Sequence, residues 1–232
     1  MEPVAVVIPT LNEVSTIGDV ICEIPPQFSA DIIVADSGSI DGTQAAARAA
    51  GARVIDAGKG YGRACAAGAA AAESACHIIA FLDGDGADRG DLMASIVGPI
   101  LDGTQDFVLA SRTRGEREPG SMLWHQVFAG RAAGWAMGAL YGVQYSDMCA
   151  FRAIERRTLN DLHMREMSYG WNIEMQMRVA QRKLRILEVP LAYRCRAGGK
   201  SKVAGSVGGT MRAGSRIITT FLRVASADTP PP

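Results

Sequence analysis

Short apolar runs alternate with longer helical segments along the first half of the chain, and this alternation constrains the fold more than any other feature. The runs lie at residues 4–8, 32–35, 54–56 and 78–82. Strands that alternate with helices of about 10–15 residues are typical of βαβ units, which build a mainly parallel sheet. The sequence therefore predicts an α/β fold, and 232 residues that are 48% hydrophobic suffice for one domain with a full core.

Three carboxylates, Asp83, Asp85 and Asp88, directly follow the apolar run at 78–82. Open α/β sheets bind ligands at the carboxyl ends of their strands, so clustered negative charge there needs a compensating cation. Mg²⁺ or Mn²⁺ fits, because such ions take oxygen ligands from one or two carboxylates and complete their shell with water and substrate phosphate. The alternative is a polar turn that caps the next helix, with Asp88 or Asp91 near its N-terminus.

The rest of the chain continues the pattern less regularly. It predicts helices at 90–102, 124–141, 172–182 and 210–225, strands at 107–110 and 185–189, and an extended segment at 147–152. The helix at 124–141 contains many small residues, which allow close packing.

Charge is distributed unevenly although the net charge is zero. Residues 1–150 contain 9 basic and 18 acidic side chains, and residues 151–232 contain 15 and 6. An acidic half suits a metal site, and a basic half suits phosphates or an anionic membrane surface. We expect no nucleic-acid partner, because few aromatic side chains are interleaved with the arginines.

Cysteine usage and hydropathy indicate the compartment. The five cysteines are widely spread and form no C-x-x-C pair, which indicates reduced thiols in a cytoplasm and not a disulfide framework or a zinc site. No stretch reaches 18 apolar residues, and the N-terminus enters a strand without a charged leader. We therefore expect a soluble, cytoplasmic protein that at most lies peripherally on the inner membrane face.

A glycine-rich segment at 58–63 imitates a dinucleotide-binding motif. Arg63 stands where the third glycine of that motif is required, so the segment is not a Rossmann cofactor loop. Its backbone amides and Lys59 can still contact a diphosphate at the start of a helix. The alternative is that the glycines only form a turn and bind no ligand.

An ordered set of motifs resembles family 2 glycosyltransferases, which have the GT-A fold. The donor-side motifs are Pro9-Thr10-Leu11-Asn12-Glu13, Asp36-Ser37-Gly38-Ser39 and Asp83-Gly84-Asp85. Further motifs resemble the polyprenyl-phosphate (dolichyl-phosphate) hexosyltransferase branch: Ala110-Ser111-Arg112, Arg131, Asp147, Phe151-Arg152, Glu174 and Glu188-Val189-Pro190 running into Gly199-Lys200-Ser201-Lys202. The resemblance covers about residues 4–218.

The resemblance implies a Rossmann-like, mainly parallel sheet flanked by helices in a domain at 1–208. A nucleotide-sugar-binding half at 1–110 would precede an acceptor-binding half at 111–208. A C-terminal amphipathic helix and tail would follow at 209–232.

The donor site implied by the resemblance is a nucleoside pocket lined by Pro9, Thr10, Glu13 and Asp36. Carboxylates suit this role because they accept hydrogen bonds from a base N–H or a ribose hydroxyl. Helix or turn capping is the alternative for Glu13 and for Asp36.

The donor diphosphate would be bound by a metal and by cations. By the resemblance, Asp85 with Asp83 holds Mg²⁺ or Mn²⁺, which neutralises the charge on the leaving group. A basic cluster that includes Arg196 and Lys202 is predicted to close over the diphosphate as a lid.

The acceptor implied by the resemblance is a polyprenyl phosphate. A lipid phosphate is already ionised and mainly needs cations to position it, whereas a hydroxyl acceptor needs a general base. Arg112 and Arg131 match positions that the family uses for the acceptor phosphate. The alternative is a soluble hydroxyl acceptor, with Asp147 or Glu174 as the candidate base.

Two departures from the branch and two other classes of protein bear on this interpretation. The branch commonly has glutamine where this chain has Ala87, so metal ligation by that residue does not carry over, and Asp88 is a possible substitute. Many relatives carry C-terminal transmembrane helices; here the helix at 210–225 would lie on a membrane or face the core.

A nucleotidyltransferase lacks support because residues 10–13 are not a basic glycine-rich loop, and a non-catalytic sugar-nucleotide binder would not need Arg112 and Arg131.

Overall fold

A mixed sheet with helices on both faces occupies the centre of the protein. The structure is a computed structural model that describes residues 2–198 and 207–227. Within these residues the strands are β1 (Val4–Thr10), β2 (Asp31–Asp36), β3 (Arg53–Asp56), β4 (Ile78–Phe81), β5 (Phe107–Ser111), β6 (Arg152–Glu155) and β7 (Ile186–Pro190). The helices are α1 (Ile17–Glu23), α2 (Thr43–Ala49), α3 (Tyr61–Ala71), α4 (Met93–Leu101), α5 (Trp124–Tyr141), α6 (Arg156–Asp161), α7 (Trp171–Gln181) and α8 (Val207–Ala225), with 3₁₀ turns at Pro26–Phe28 and Gly90–Leu92.

The sheet order is β3-β2-β1-β4-β6-β5-β7. Only β6 among these strands runs antiparallel to its neighbours β4 and β5, and the other pairs are parallel. From β1 the chain continues to β2 and β3 on one side of β1, and then crosses over to form β4 on the other side of β1. This topological switch point opens a crevice at the carboxyl ends of β1 and β4, where open α/β sheets bind ligands. The α/β fold with a mainly parallel sheet is confirmed.

The core consists of two apolar layers, one on each face of the sheet. Residues Ala5 and Val7 of β1 belong to one layer, and Val4, Val6 and Ile8 belong to the other. Successive side chains of a strand point to opposite faces, so a central strand covered on both sides reads as an uninterrupted apolar run. This requirement explains the continuous hydrophobic segments that identify β1 and β4 in the sequence.

Strand β1 extends beyond the apolar run at 4–8 and includes Pro9 and Thr10. Pro9 and Thr10 remain paired in register with Ala35 and Asp36 of β2, whereas the pairing of β1 with β4 stops at Val7. Proline has no N–H to donate and is therefore tolerated where a strand has lost one neighbour. On the side toward β4, the last residues of β1 consequently face the crevice and not a strand.

The segment predicted to be extended at 147–152 is mostly a loop, and β6 begins only at Arg152. Side chains hold this loop in place of a strand ladder. Glu188 accepts hydrogen bonds from the backbone N–H groups of Ser146 (3.0 Å) and Asp147 (3.2 Å), and the amide of Gln176 donates to the Asp147 carbonyl (2.9 Å). The short helix α6 was not predicted.

Glycines let α5 pack closely on the loop that precedes β6, as its small residues predict. A Cβ atom on Gly134 would lie 1.7 Å from the Tyr145 carbonyl oxygen, and one on Gly130 would lie 3.7 Å from the Asp147 Cα. At Gly138 the nearest atom, in the Gln144 side chain, would be 3.6 Å away. Gly134 is therefore the closest backbone contact of these three.

One face of α8 packs against α7, and the opposite face is exposed. Ala213 and Val224 are buried, the Thr220 hydroxyl donates to Glu166 (2.9 Å), and Gln181 donates to the Val224 carbonyl (3.1 Å). The core-facing interpretation of this helix is therefore correct for that face. Among the described helices, none combines the length and the apolar content that a bilayer crossing requires. The division of the chain at residues 110 and 208 stays a prediction.

Candidate active site

A cleft of about 350 Å³ lies at the carboxyl ends of β1 and β4. The predicted site residues that line it are Pro9, Thr10, Glu13, Asp83, Asp85, Arg112 and Arg196. They come from the ends of three strands and from the loop after β7. The fold thus brings together side chains that are far apart in the sequence.

Other predicted residues lie outside the lining of this cleft. Asp36 and Asp147 are buried behind it, each about 1% exposed, and contact residues of the lining. Lys59 is exposed on the turn before α3. Arg131 lines a second cleft of about 280 Å³, beside Trp135. Lys202 lies outside the described residues.

The carboxylates after β4 repel one another in a buried environment. Burial, together with the negative charges of Asp85 and Asp88, raises the pKa of Asp83 to about 8. Burial and Asp85 likewise raise the pKa of Asp88 to about 6. The Tyr61 hydroxyl donates a hydrogen bond to Asp83 (3.2 Å), which offsets only part of this effect. Such a cluster is stabilised by an added cation.

The donor set at this end of the cleft fits a hard divalent ion. Asp83 and Asp85 present carboxylate oxygens to the cleft, and oxygen ligands are those that Mg²⁺ and Mn²⁺ prefer. Among the described residues, no three His, Cys, Asp or Glu side chains could enclose a metal ion by themselves. An ion held here would therefore rely on water and substrate for its remaining ligands, as is usual for Mg²⁺.

The helix-capping alternative for Asp88 and Asp91 does not fit the geometry. Neither the 3₁₀ turn at Gly90–Leu92 nor α4 has a side-chain cap. Asp88 instead accepts a hydrogen bond from the Asp83 backbone N–H (3.3 Å) and does not line the cleft. Asp88 thus supports the turn that carries Asp83.

Arg112 lies in the wall of the cleft and is oriented from behind by Asp147. Its Nε and Nη2 donate to the two carboxylate oxygens of Asp147 at 2.6 and 2.7 Å. The guanidinium also lies 5.2 Å from the ring centroid of Tyr193. Burial opposes ionisation of Asp147, but the charge and hydrogen bonds of Arg112 outweigh it and lower the pKa of Asp147. The ion pair fixes the orientation of the guanidinium in the wall of the cleft.

Asp36 organises the loop after β2. It accepts hydrogen bonds from the backbone N–H groups of Gly38 (3.1 Å) and Ser39 (2.9 Å), from the Gln44 amide (2.8 Å) and from the Thr10 hydroxyl (3.2 Å). Burial by itself would raise the pKa of Asp36, but the hydrogen bonds together outweigh burial and lower this pKa. This is the turn-capping arrangement that we considered as the alternative to base binding, and it leaves Ser37 in the lining of the cleft.

The glycines at 58–62 serve close packing in this structure. A Cβ atom on Gly60 or Gly62 would lie 2.5 Å from a carbonyl oxygen of the loop before α7. The N–H groups of Gly62 and Arg63 donate to the carbonyls of Ser168 (3.2 Å) and Met167 (3.0 Å). Two amides at the start of α3 are therefore already used, as the turn interpretation expects. The contact of Lys59 with a diphosphate stays a prediction.

Sequence reasoning missed several residues that line the cleft. They are Tyr61 at the start of α3, Ser168, Tyr169 and Asn172 around the start of α7, and Ala213 and Ile217 of α8. Tyr61 lies within the glycine-rich segment, and Ala213 and Ile217 lie within the predicted helix at 210–225, but none of these was predicted to line the cleft. The others share no motif, because the close packing of α7 and α8 brings them to the cleft.

Comparison with known proteins agrees with this architecture. The model of glycosyl transferase family 2 matches residues 5–172. An uncharacterized glycosyltransferase of Mycobacterium tuberculosis is 33% identical over 231 residues, which cover 97% of this chain and 99% of that protein. A dolichyl-phosphate hexose transferase of Haloferax volcanii is 33% identical over 202 residues, which cover 85% of each chain.

Solved structures include a similar fold with ligands bound. The crystal structure of glucosyl-3-phosphoglycerate synthase from Mycobacterium tuberculosis, in complex with Mn²⁺, UDP and phosphoglyceric acid, superimposes with a TM-score of 0.76 at 26% identity. The match covers 97% of this chain and 79% of that one. The family match, the identities and the geometry of the cleft lead to one assignment: this chain is a glycosyltransferase and belongs to family 2.

Proposed function

We propose that this protein transfers a hexosyl unit from a nucleoside diphosphate sugar to a polyprenyl phosphate, with a divalent metal and inversion at the anomeric carbon. The observation that carries the proposal is the Arg112–Asp147 pair, which holds an oriented guanidinium group in the wall of the cleft and engages the Asp147 carboxylate, so that this carboxylate is not available as a base. Such a site suits an acceptor that is already ionised.

The donor would occupy the part of the cleft between β1 and β4. Pro9, Thr10 and Glu13 offer a nucleoside pocket at the end of β1, and Asp83 with Asp85 lies next to it at the end of β4. The bound metal would neutralise charge that develops on the leaving diphosphate. The relatives support this arrangement, because a structurally similar enzyme was crystallised with Mn²⁺ and UDP.

The two carboxylates that a hydroxyl acceptor would need as a base are both engaged. Asp147 accepts two hydrogen bonds from Arg112. Glu174 is fully buried and bonds to Arg178 (2.8 Å), to Arg223 (3.2 Å) and to the backbone N–H of Glu166 (2.6 Å). In the described part of the chain, the carboxylates that line the cleft are Glu13, Asp83 and Asp85 at its donor end.

A phosphate acceptor does not need a base. Its oxygen attacks the anomeric carbon while the bond from that carbon to the diphosphate oxygen breaks on the opposite side. The new bond joins the sugar to the lipid phosphate, the electron pair of the broken bond stays on the nucleoside diphosphate, and no proton has to be removed. Arg112 contributes by holding the phosphate in line with the leaving group.

Two exposed apolar stripes support a lipid acceptor. On α5, Trp124, Phe128 and Trp135 are 80%, 68% and 71% exposed, and Arg131 lies on the same face, because these positions are spaced by four, three and four residues. A helix with exposed tryptophans and cations but no acidic residue fits the boundary between lipid headgroups and acyl chains.

Helix α8 presents the second stripe. Met211, Ile218 and Leu222 are exposed, and the helix contains three arginines and no acidic residue. Both α5 and α8 pack against α7. This supports peripheral contact with a membrane, where a polyprenyl phosphate would be met.

The second candidate is a soluble acceptor that carries a phosphate. The similar structure with phosphoglyceric acid favours it, because that enzyme has a comparable sheet and a small acceptor. Arg112 would bind the phosphate in either case. The two candidates differ in whether the acceptor is extracted into organic solvent.

A donor and acceptor panel tests the proposal. The purified protein is incubated with Mn²⁺, with radiolabelled uridine or guanosine diphosphate hexoses, and with either a polyprenyl phosphate or a phosphoglycerate. Label that enters the organic phase only when the polyprenyl phosphate is present supports the proposal. Label that stays in water as a sugar-phosphate compound supports the second candidate. If no label is transferred to either acceptor, both candidates are contradicted.

A further inference from the structure

The segment 193–198, which we call the strap, crosses the donor end of the cleft and is anchored along its length. The Arg194 backbone N–H donates to the Ala87 carbonyl (3.1 Å), and the Ala197 N–H donates to the Asp85 carbonyl (3.1 Å). The Arg194 guanidinium bonds to both carboxylate oxygens of Glu23 at 2.8 Å. These contacts hold the strap directly over the carboxylates that follow β4.

Arg196 of the strap inserts its guanidinium between two of the cleft carboxylates. Its Nη2 lies 2.8 Å from Oδ2 of Asp85, and its Nη1 lies 3.1 Å from Oε1 of Glu13. The other carboxylate oxygen of Asp85 accepts the Ala87 N–H (2.9 Å). The Asp85 oxygen that accepts no hydrogen bond from the Ala87 backbone, and that is the more available of the two to a metal, is therefore the one that Arg196 contacts.

We infer that Arg196 is the counter-ion of the cation site before a metal binds, and that the metal and the Arg196 guanidinium compete for Asp85. The inference rests on the proposed function, because it takes Asp85 as a metal ligand and the cleft as a donor site. It adds an order of events. In the metal-free protein Arg196 of the strap pairs with Asp85, and when the metal and the donor bind, Arg196 leaves Asp85 and contacts the donor.

Electrostatics makes the two occupants mutually exclusive. A Mg²⁺ or Mn²⁺ ion lies about 2.1 Å from its carboxylate oxygen. The guanidinium nitrogen, now 2.8 Å from the same oxygen, would then face a double positive charge at a distance of a few ångströms. Repulsion on this scale in a partly buried cleft displaces Arg196 from Asp85.

The displaced guanidinium has a suitable new partner in the donor. A diphosphate on the metal would bring anionic oxygens to the same end of the cleft, and the planar fork of arginine binds phosphate in a bidentate manner. The anchors at Arg194 and Ala197 keep Arg196 within reach while its side chain moves. The strap would thus exchange a carboxylate for the leaving group and retain its position over the cleft.

The competition predicts opposite effects of one substitution on two ligands. In the full chain without nucleotide, Arg196→Ala removes the competitor, so we expect Mn²⁺ to bind about tenfold more tightly in calorimetric titration. With saturating Mn²⁺, the same variant loses the contact to the diphosphate, so we expect UDP or GDP to bind about tenfold more weakly. A purely structural ion pair would not change the two affinities in opposite directions.

Matched variants separate competition from loss of charge. Arg89→Gln makes the same change in charge beside the strap, but Arg89 pairs with Asp91 and does not touch the cleft carboxylates. We expect Arg89→Gln to change Mn²⁺ affinity less than twofold. Arg196→Lys keeps the charge and loses the fork, so its Mn²⁺ affinity should stay near that of the unchanged protein.

The outcomes distinguish this inference from the proposed function. Mn²⁺ affinity that is unchanged or weaker in Arg196→Ala overturns the competition, whatever the protein transfers. Tighter Mn²⁺ binding without any affinity for UDP or GDP keeps the competition and contradicts the donor assignment. If Arg196→Ala does not fold, as judged by circular dichroism, Arg196→Gln is measured in its place.

Discussion

The Arg112 guanidinium forms a bidentate ion pair with the carboxylate of Asp147, with Nε–Oδ2 and Nη2–Oδ1 distances of 2.6 and 2.7 Å. Asp147 is about 1% exposed, so it is a positioning residue and not a group that meets the acceptor. We expect Asp147→Ala to raise the KM for the phosphate acceptor about tenfold or more, because each charge-assisted hydrogen bond that orients Arg112 contributes about 1.5–3 kcal/mol. Steady-state kinetics at saturating donor measures this.

The matched variant Asp147→Asn keeps the shape and one acceptor oxygen, so we expect it to recover part of the loss. The affinity for nucleoside diphosphate, measured by titration, should be the same in both variants. A base in catalysis would behave differently: Asp147→Asn would then lower kcat as much as Asp147→Ala and would flatten the acidic limb of the pH–rate profile.

Arg131 lies on the exposed face of α5 and lines the second cleft beside Trp135. If it binds the acceptor phosphate, Arg131→Ala removes a charge-assisted contact worth about 1.5–3 kcal/mol, which corresponds to about 10–100-fold in the KM for the acceptor. The dissociation constant of the donor nucleotide should not change. Arg48→Ala, an exposed arginine at the end of α2, is the control. An equal loss in donor affinity would remove Arg131 from the acceptor site.

The aromatic stripe of α5 should bind membranes. Exchanging Trp124, Phe128 and Trp135 for alanine together should weaken binding to vesicles that contain anionic lipid by about tenfold or more, because a fully buried large side chain contributes about 1.5–3 kcal/mol. Co-sedimentation measures the fraction bound. Ile40→Ala is the control, since Ile40 is 93% exposed but lies away from α5. Binding that is equal for the triple variant and the control contradicts this role.

Gly134 and Gly138 form a matched pair within α5. Gly134→Ala should destabilise the protein by about 3 kcal/mol or more, because its Cβ would lie 1.7 Å from the Tyr145 carbonyl oxygen and would push the helix outward. In Gly138→Ala the Cβ atom would lie 3.6 Å from the Gln144 side chain and 4.0 Å from the Val143 carbonyl oxygen, which are ordinary contacts, so this variant should be more stable by about 0.5–1 kcal/mol through helix propensity. Urea unfolding of both variants checks the difference, and equal effects would show that α5 is not packed in this way.

Local sequence was sufficient to predict the parallel strands and the residues at their ends. The apolar runs of β1 and β4 are continuous because both faces are covered, and Glu13 and Asp85 follow them directly. A side chain that follows the carboxyl end of one of these strands therefore lies at the cleft. Motif resemblance identified Arg112 in the same way, at the end of β5.

Partners that are distant in the sequence could not be predicted. Asp147 stands 35 residues from Arg112, and Glu13 stands 183 residues from Arg196, so no periodicity relates them. We predicted Asp36 to line the nucleoside pocket, with turn capping as the alternative. Its carboxylate accepts hydrogen bonds from the nearby backbone N–H groups, and its contact with a nucleoside stays a prediction. An extended segment was predicted at 147–152, but the strand β6 begins only at Arg152, because polar contacts of residues 146–147 replace a ladder there.

The buried carboxylates after β4 predict how stability depends on pH. The pKa of Asp83 is raised from 3.8 to about 8 in the folded protein, so the folded state binds this proton more tightly than the unfolded state does. Its contribution to stability is therefore complete below about pH 4 and is lost as the pH rises toward 8. We expect the melting temperature of the metal-free protein, relative to that of Asp83→Asn, to fall between about pH 5 and pH 8. Saturating Mg²⁺ should remove this fall, because the ion takes the place of the proton. Thermal melts of both proteins with and without Mg²⁺ make the comparison, and parallel pH profiles in the metal-free state would contradict a shifted Asp83.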